Sequence, residues 1–434
     1  MTDQPQPGRS SARPPRSGGP VRTPSEEEWL RVHAFLNRNR HELAVRAGAE
    51  YPPDTRLAGT PLIAPPAWRL PAPVALDRIR LELRPDAPGP DSPDLAALAP
   101  SALPRRPDGT RYQRYSEAVG RLVRPAVFEN RPTYRLVEAD LAGDAGPRLV
   151  FGRGRFFDGI DAGGPAGHEY AAAVLGQTAG EAPLTADVPP TGESTAGDGP
   201  FRAALGAGEA GETSPAGEYG AGGGSFRAAL GGPAGLAARS ATLAVSALTL
   251  RYDRRAGTAS FPLHHRDASL VSHGGGLYQV IPVGVFQPSG EARWNERNDF
   301  SLWRGLLREY AEELLGADED YGSERAPVDY AGWPLARTMT AALADGRIRA
   351  WCLGLGADPL TFALDLLAVV VIDAPLYDDL FGAAVDANAE GRVLRPRPFD
   401  EPSVTELLAG TPLQAAAAAL LTLALAHRET LLGW

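Results

Sequence analysis

The chain is 434 residues long and carries a formal net charge of -10 at pH 7. That length suits about two to three domains with a large core, and the acidic balance excludes nucleic-acid recognition through a broad basic surface. No lysine occurs among the 43 basic residues, which removes P-loop, Schiff-base, kinase-anchor and Ser-x-x-Lys chemistry together, and the lone Cys352 excludes an intrachain disulfide or a cysteine-built zinc cage.

Residues 1–22 combine Pro, Ser, Gly and Arg with almost no bulky apolar side chain, the composition of a disordered tail. Thr23-Pro24-Ser25-Glu26 opens a helix with a capping signature; Trp29, Val32, Phe35 and Leu36 form its apolar face, and Leu43 and Val45 continue it. One helix followed by Pro52 and Pro53 does not make a helix-turn-helix, so no nucleic-acid-binding segment is expected. The polar start has no signal-peptide core and no apolar run suits a bilayer span, so the expectation is a cytoplasmic protein without membrane association.

Residues 57–107 read as Pro-rich irregular chain wrapped on a core, with the alternating run Ile79 to Leu83 as one short strand. A helix bearing Tyr115, Val119 and Leu122 follows. Strands over Thr133 to Leu141 and Arg148 to Phe157 then form a hairpin through Gly143-Asp144-Ala145-Gly146-Pro147. Residues 23–175 are thus an N-terminal helix, wrap and hairpin region. Residues 176–235 break the pattern: Gly, Ala, Ser, Thr, Pro and Glu dominate, and Phe-Arg-Ala-Ala-Leu-Gly occurs twice, from Phe201 and from Phe226. A disordered insert with a local duplication accounts for this segment.

Residues 240–434 have the pattern of an α/β domain. Strands are expected over Thr242 to Tyr252, Ala259 to His265, Leu277 to Phe286, Asp345 to Leu355 and the continuous apolar run Leu364 to Ile372, with helices over Asp378 to Asn388 and Pro412 to Leu432. A mixed sheet sandwiched between helices fits that order. Cys352, in an apolar segment, is expected to be a buried small hydrophobe.

The stretch Asn298 to Gly316 is expected to be one helix, capped by Asp299 or Ser301 and ended by Gly316 in the αL conformation. It places Trp303, Leu306, Leu307, Tyr310 and Leu314 on an apolar stripe and gathers Glu309, Glu312 and Glu313 on a neighbouring face. Carboxylates so arranged suit a hard divalent cation; the plainer reading is a solvated face on which Arg308 and Glu312 form an ordinary i,i+4 pair.

Arg308-Glu309-Tyr310-Ala311-Glu312-Glu313 resembles the RExxEE core of the Nudix hydrolase box. The resemblance implies a Nudix-like fold, with Mg²⁺ or Mn²⁺ held by Glu312 and Glu313, Glu309 either binding the metal as well or acting as the base, and Arg308 orienting Glu309. The first half of the box is missing: Trp294 and Phe300 stand where the family has glycine and glutamate. Gly284, at the end of Tyr278 to Gly284, lies well ahead of the required position, and the closing glycine comes one residue late, at Gly316. Glu291, Glu296 and Asp299 are candidates to replace the missing acid. Phe128-Glu129-Asn130-Arg131, His264-His265-Arg266-Asp267, Pro282 to Pro288, Gly354 to Leu360 and Ala426-His427-Arg428-Glu429 are similar to actinobacterial proteins often labelled helix-turn-helix transcriptional regulators.

Substrate contacts are sought near the same sheet. Arg266 suits a phosphate and His264 a base or ribose, the alternative being a solvated strand end, while Gln279, Phe286 and Gln287 are candidates to touch a nucleobase, an aromatic in a strand being otherwise a core residue. His273-Gly274-Gly275-Gly276 is either an anion nest or a flexible turn, and Asp365 either a further metal ligand or a turn cap. His168 and Glu169 have no motif to recommend them. The function expected is binding of a nucleoside-diphosphate-linked small molecule with Mg²⁺, hydrolysis being left open. The alternative is a non-catalytic nucleotide-sensing or protein-interaction module, and homo-oligomerisation is left open.

Overall fold

The computed structural model describes residues 22–178, 225–266, 275–382, 387 and 391–433. Its strands are β1 (Arg69–Ala75), β2 (Arg80–Leu83), β3 (Pro132–Asp140), β4 (Arg148–Arg155), β5 (Ala241–Asp253), β6 (Thr258–Phe261), β7 (His264–Arg266), β8 (Tyr278–Gln279), β9 (Val283–Val285), β10 (Ile348–Ala357), β11 (Leu364–Asp373), β12 (Gly391–Val393) and β13 (Arg397–Pro398). The main sheet runs β1-β10-β11-β5-β3-β4-β2, with β6 and β9 also on β5 and β13 on β6; β12, β7 and β8 form a small second sheet.

Strand β5 is the spine. One edge pairs in parallel with β11 from Leu243 opposite Leu364 to Tyr252 opposite Asp373. The other edge meets three partners in succession: β3 at Ala241 and Thr242, β9 at Ala244 to Ser246, and β6 at Arg251 to Asp253. A spine paired with different strands along one edge makes the sheet curl. β11 is buried from Leu364 to Ile372, as a central strand covered on both faces should be. The architecture is mixed α/β, a curled sheet flanked by helices. The pairing of Arg135 with Thr242 joins strands from residues 23–175 and 240–434 in that one sheet.

The elements expected from the sequence are often interrupted. The N-terminal helix is two, Pro24–Arg38 and Arg40–Ala49. The reciprocal capping box of Thr23 and Glu26 starts the first, and Asn39 ends it by donating its side-chain amide to the Phe35 carbonyl at 2.9 Å. The wrap over residues 57–107 contributes two strands, β1 and β2, rather than one. The span from Ala259 to His265 divides into β6 and β7, and that from Leu277 to Phe286 into β8 and β9, each break containing a proline that cannot donate to a ladder. The C-terminal helix is Ala415–Ala426 followed by Arg428–Leu432. The helix expected over Asp378 to Asn388 begins earlier, at Ala374–Phe381, and most of its later half lies outside the described residues.

One long helix, Phe156–Thr178, has no counterpart in the expectations because it contains Pro165 and several glycines. Those glycines allow close packing: a Cβ on Gly163 would stand 2.6 Å from the Thr361 carbonyl oxygen, and one on Gly164 would enter the Tyr115 ring. Against this helix sits a short one, Phe226–Ala229, within the span expected to be a disordered insert. Glu169 accepts hydrogen bonds at 3.0 Å from Ser225 Oγ and the Phe226 and Arg227 amides, and Phe226 and Leu230 are buried. The second Phe-Arg-Ala-Ala-Leu-Gly copy is therefore part of the fold, while the first and the tail 1–21 lie outside the described residues. Among the described residues no helix is long and apolar enough to cross a membrane. Cys352 is fully buried, as expected, and burial pushes its thiol up to about 12.

Candidate functional site

The stretch carrying the RExxEE run is not one uniform helix. After a short turn of helix at Asn295–Asn298, an α-helix spans Leu302–Glu309 and continues as a π turn over Tyr310–Leu314. Ser301 is the cap, its hydroxyl accepting from the Arg304 amide. Gly316 follows the π turn with φ of +66°, the αL conformation anticipated for it.

Asp299, the other candidate cap, is buried instead. Its carboxylate accepts from the Ser289 amide and hydroxyl at 2.7 Å each and from Tyr330 Oη at 2.9 Å. Arg308 completes this cluster by donating to Tyr330 Oη and to the Gln287 carbonyl, both at 2.6 Å, with Asp299 3.6 Å away. Arg308 thus ties its helix to the loop after β9, in place of the i,i+4 pairing with Glu312.

The three glutamates leave the helix toward different partners. Glu313 is buried and accepts from the Val283 amide at 3.0 Å, with its other oxygen 3.8 Å from His264 Nδ1. Glu312 accepts from Tyr321 Oη at 2.7 Å; burial pushes its carboxyl up to about 7 against the lowering effect of that bond. Glu309 lies over Gly284 of β9. Among the described residues no three His, Cys, Asp or Glu side chains are grouped to hold a metal ion. As folded, the trio does not supply the converging oxygens that Mg²⁺ or Mn²⁺ takes, and the metal expectation does not fit this arrangement.

All three glutamates nevertheless line one cavity of about 840 Å³, as do Arg308, Arg266 and Gln279. Thr242 and Ala244 of β5 and Asp365 of β11 add the face of the main sheet. Asp365 caps no turn: it sits within β11, accepts from Ser246 Oγ at 2.8 Å, and is pushed up to about 7 by burial, the hydroxyl opposing. The opposite wall is helical. His33, Asn37, Arg40 and Tyr115 come from the N-terminal segments, with Val119, Val123 and Ile160 supplying apolar surface.

Other candidates lie elsewhere. Phe286 is a core residue, 1% exposed and packed on Tyr134, Phe151 and Phe300, so it is not available to a nucleobase. His264 is fully buried and is not part of the lining. Glu291 pairs with Arg155 at 2.8 Å and Glu296 with Arg153 at 2.9 Å, so neither they nor Asp299 bring a carboxylate to the cavity. Glu129 and Glu319 do line it, both bound to Arg131. Asp267, His273 and Gly274 lie outside the described residues.

No family model and no curated protein matches this chain. The Nudix likeness stays at the level of the quoted residues. Sequence reasoning missed the contribution of the N-terminal helices; His33 and Asn37 lie one turn apart on the first and Arg40 opens the second, and by spacing alone such polar residues read as a solvated face.

Proposed function

We propose that the cavity is a binding chamber for a small, nucleoside-diphosphate-linked molecule and that the chain senses or carries this ligand without hydrolysing it. The observation that carries the reading is the lining. A single chamber of about 840 Å³ joins the buried Arg40, Arg239, Arg266 and Arg308 and the hydroxyls of Ser240 and Thr242 to valine, isoleucine and tyrosine from the helices. Ligand sites of this size combine an apolar wall with a few placed polar groups.

Binding is favoured over metal-dependent cleavage because each glutamate of the RExxEE run is engaged by its own protein, through Val283, Tyr321 and the close approach to Gly284. Hydrolysis remains the rival reading, supported by the shared position of Glu309, Glu312 and Glu313 on the chamber wall. Thermal-shift and calorimetric titration with ADP and ADP-ribose, with and without Mg²⁺, separates the two. The binding reading expects affinity in both conditions, lost in an Ala244→Leu variant that narrows the chamber, with the ligand recovered intact. Cleavage that requires Mg²⁺ and disappears in Glu312→Gln supports the rival.

A further inference from the structure

We infer that Tyr115 is the hydrogen-bond donor by which the chamber recognises the nucleobase of its ligand, with Arg40, Asn37 and His33 positioning its hydroxyl in the donating state; the inference rests on the ligand-binding reading above. All four side chains line the cavity, and they are joined in one chain of contacts. Arg40 Nη2 lies 3.3 Å from Asn37 Oδ1, Asn37 Nδ2 lies 3.0 Å from His33 Nε2, and His33 Nδ1 lies 3.3 Å from Tyr115 Oη.

The direction of the chain follows from its first member. A guanidinium only donates, so the Asn37 atom that faces Arg40 is the carbonyl oxygen, and the atom that faces His33 is the amide nitrogen, which also only donates. His33 Nε2 therefore accepts, and a neutral imidazole that accepts at Nε2 carries its proton on Nδ1. Burial, reinforced by the Arg40 charge, pushes His33 down to about 4, so the ring is neutral near pH 7. Its Nδ1–H donates to Tyr115 Oη, and the phenolic proton is turned away from His33. Among the described residues no group accepts that proton. Burial raises the Tyr115 phenol above its ordinary value, which keeps the proton on the oxygen.

Tyr115 is held firmly in this position. Its ring packs on Trp29 and His168, with centroids 5.4 and 5.8 Å away, and Trp29 stacks on His33 at 4.8 Å. Only 3% of the residue is exposed. A buried O–H without an acceptor is costly, and an acceptor on a ligand removes that cost. The surface beside it is apolar: Val119 follows Tyr115 by one turn of the Tyr115–Leu122 helix, and Val123 and Ile160 extend the lining. A donor at the end of an apolar strip suits a flat heteroaromatic ring with a ring nitrogen or carbonyl oxygen at its edge, whereas a diphosphate gains nothing from valines. The ring of a nucleoside diphosphate that meets this description is its nucleobase.

The test is calorimetric titration of the full chain with ADP and with adenosine, comparing wild type with Tyr115→Phe after a check of folding by circular dichroism. Wild type is expected to bind both probes, and Tyr115→Phe to weaken both by the same factor, about threefold to tenfold, the effect of one neutral hydrogen bond. A loss for ADP but not for adenosine, or no loss for either, overturns the donor assignment and leaves the chamber reading standing. Wild type that binds ADP but not adenosine overturns the nucleobase subsite alone, and wild type that binds neither overturns both. The positioning chain is read separately by nitrogen NMR of the histidine-labelled wild type, the His33 signals being assigned by their loss in His33→Gln. A neutral ring protonated at Nδ1 near pH 7 is expected; a proton on Nε2, or an imidazolium, overturns the inference. Saturating adenosine should also shift the His33 Nδ1 signal, because a bond donated by Tyr115 strengthens the one it accepts. No shift overturns the inference even if Tyr115→Phe fails to fold.

Discussion

Glu309 lays its carboxylate over the α-carbon of Gly284, in the space a side chain at position 284 would need. This contact brings the RExxEE helix onto β9 and sets Glu313 beside the Val283 amide. The colliding group is the end of a flexible side chain, so Gly284→Ala should move Glu309 rather than unfold the protein. A loss of about 1 kcal/mol is expected in urea denaturation. In a double-mutant cycle with Glu309→Ala most of that loss should disappear; full additivity would show that the contact is not the cause.

Arg308 is the residue of this helix on which stability most depends. Arg308→Ala removes two hydrogen bonds at 2.6 Å and leaves Asp299 and Tyr330 buried without their cation. Breaking such a cluster costs about 3–5 kcal/mol, so the variant should unfold at clearly lower urea concentration. A near-wild-type midpoint would contradict the structural role assigned to Arg308.

Much of this fold was legible in residues whose local chemistry has one solution. The Thr23 and Glu26 capping box, the Gly143 to Pro147 turn between β3 and β4, the apolar run that became β11 and the αL glycine at 316 all appear where patterning put them. The failures have physical causes too. Phe156–Thr178 is concealed by glycines and a proline that count against a helix in isolation, yet those glycines admit Thr361 and Tyr115. The π turn is a single added residue, invisible to a period count. Half of the chamber was illegible because His33, Asn37 and Arg40 come to share a lining with strand β5 only in the folded chain.

The pH dependence of stability offers a test of the chamber floor. Asp365 is raised from its ordinary value to about 7 in the folded protein, chiefly by burial. Its neutral form is thus favoured by folding, and the cost of charging it is absent near pH 4, grows as the pH rises toward 7, and stays constant above. Asp365→Asn keeps an acceptor for Ser246 Oγ and removes the charge. At pH 8 it should be more stable than wild type, by on the order of 4 kcal/mol at most, and near pH 4 equal to it. A difference independent of pH would refute a buried carboxyl.

Glu169 should anchor the chain where it re-enters the fold. Glu169→Ala deletes the acceptor for Ser225 Oγ and two amides that begin the Phe226–Ala229 helix. A destabilisation of about 1–2 kcal/mol is expected, together with faster hydrogen exchange at residues 226–230. Unchanged exchange there would rule out the capping role.

The central claim, a chamber that binds a nucleoside diphosphate without cleaving it, is tested most directly by titrating ADP into the wild-type chain in EDTA and again in Mg²⁺, then assaying the mixture for AMP and phosphate. Saturable binding in EDTA with no product in either buffer is the result expected. No binding in either buffer, or product formed only with Mg²⁺ and abolished by Glu312→Gln, would contradict it.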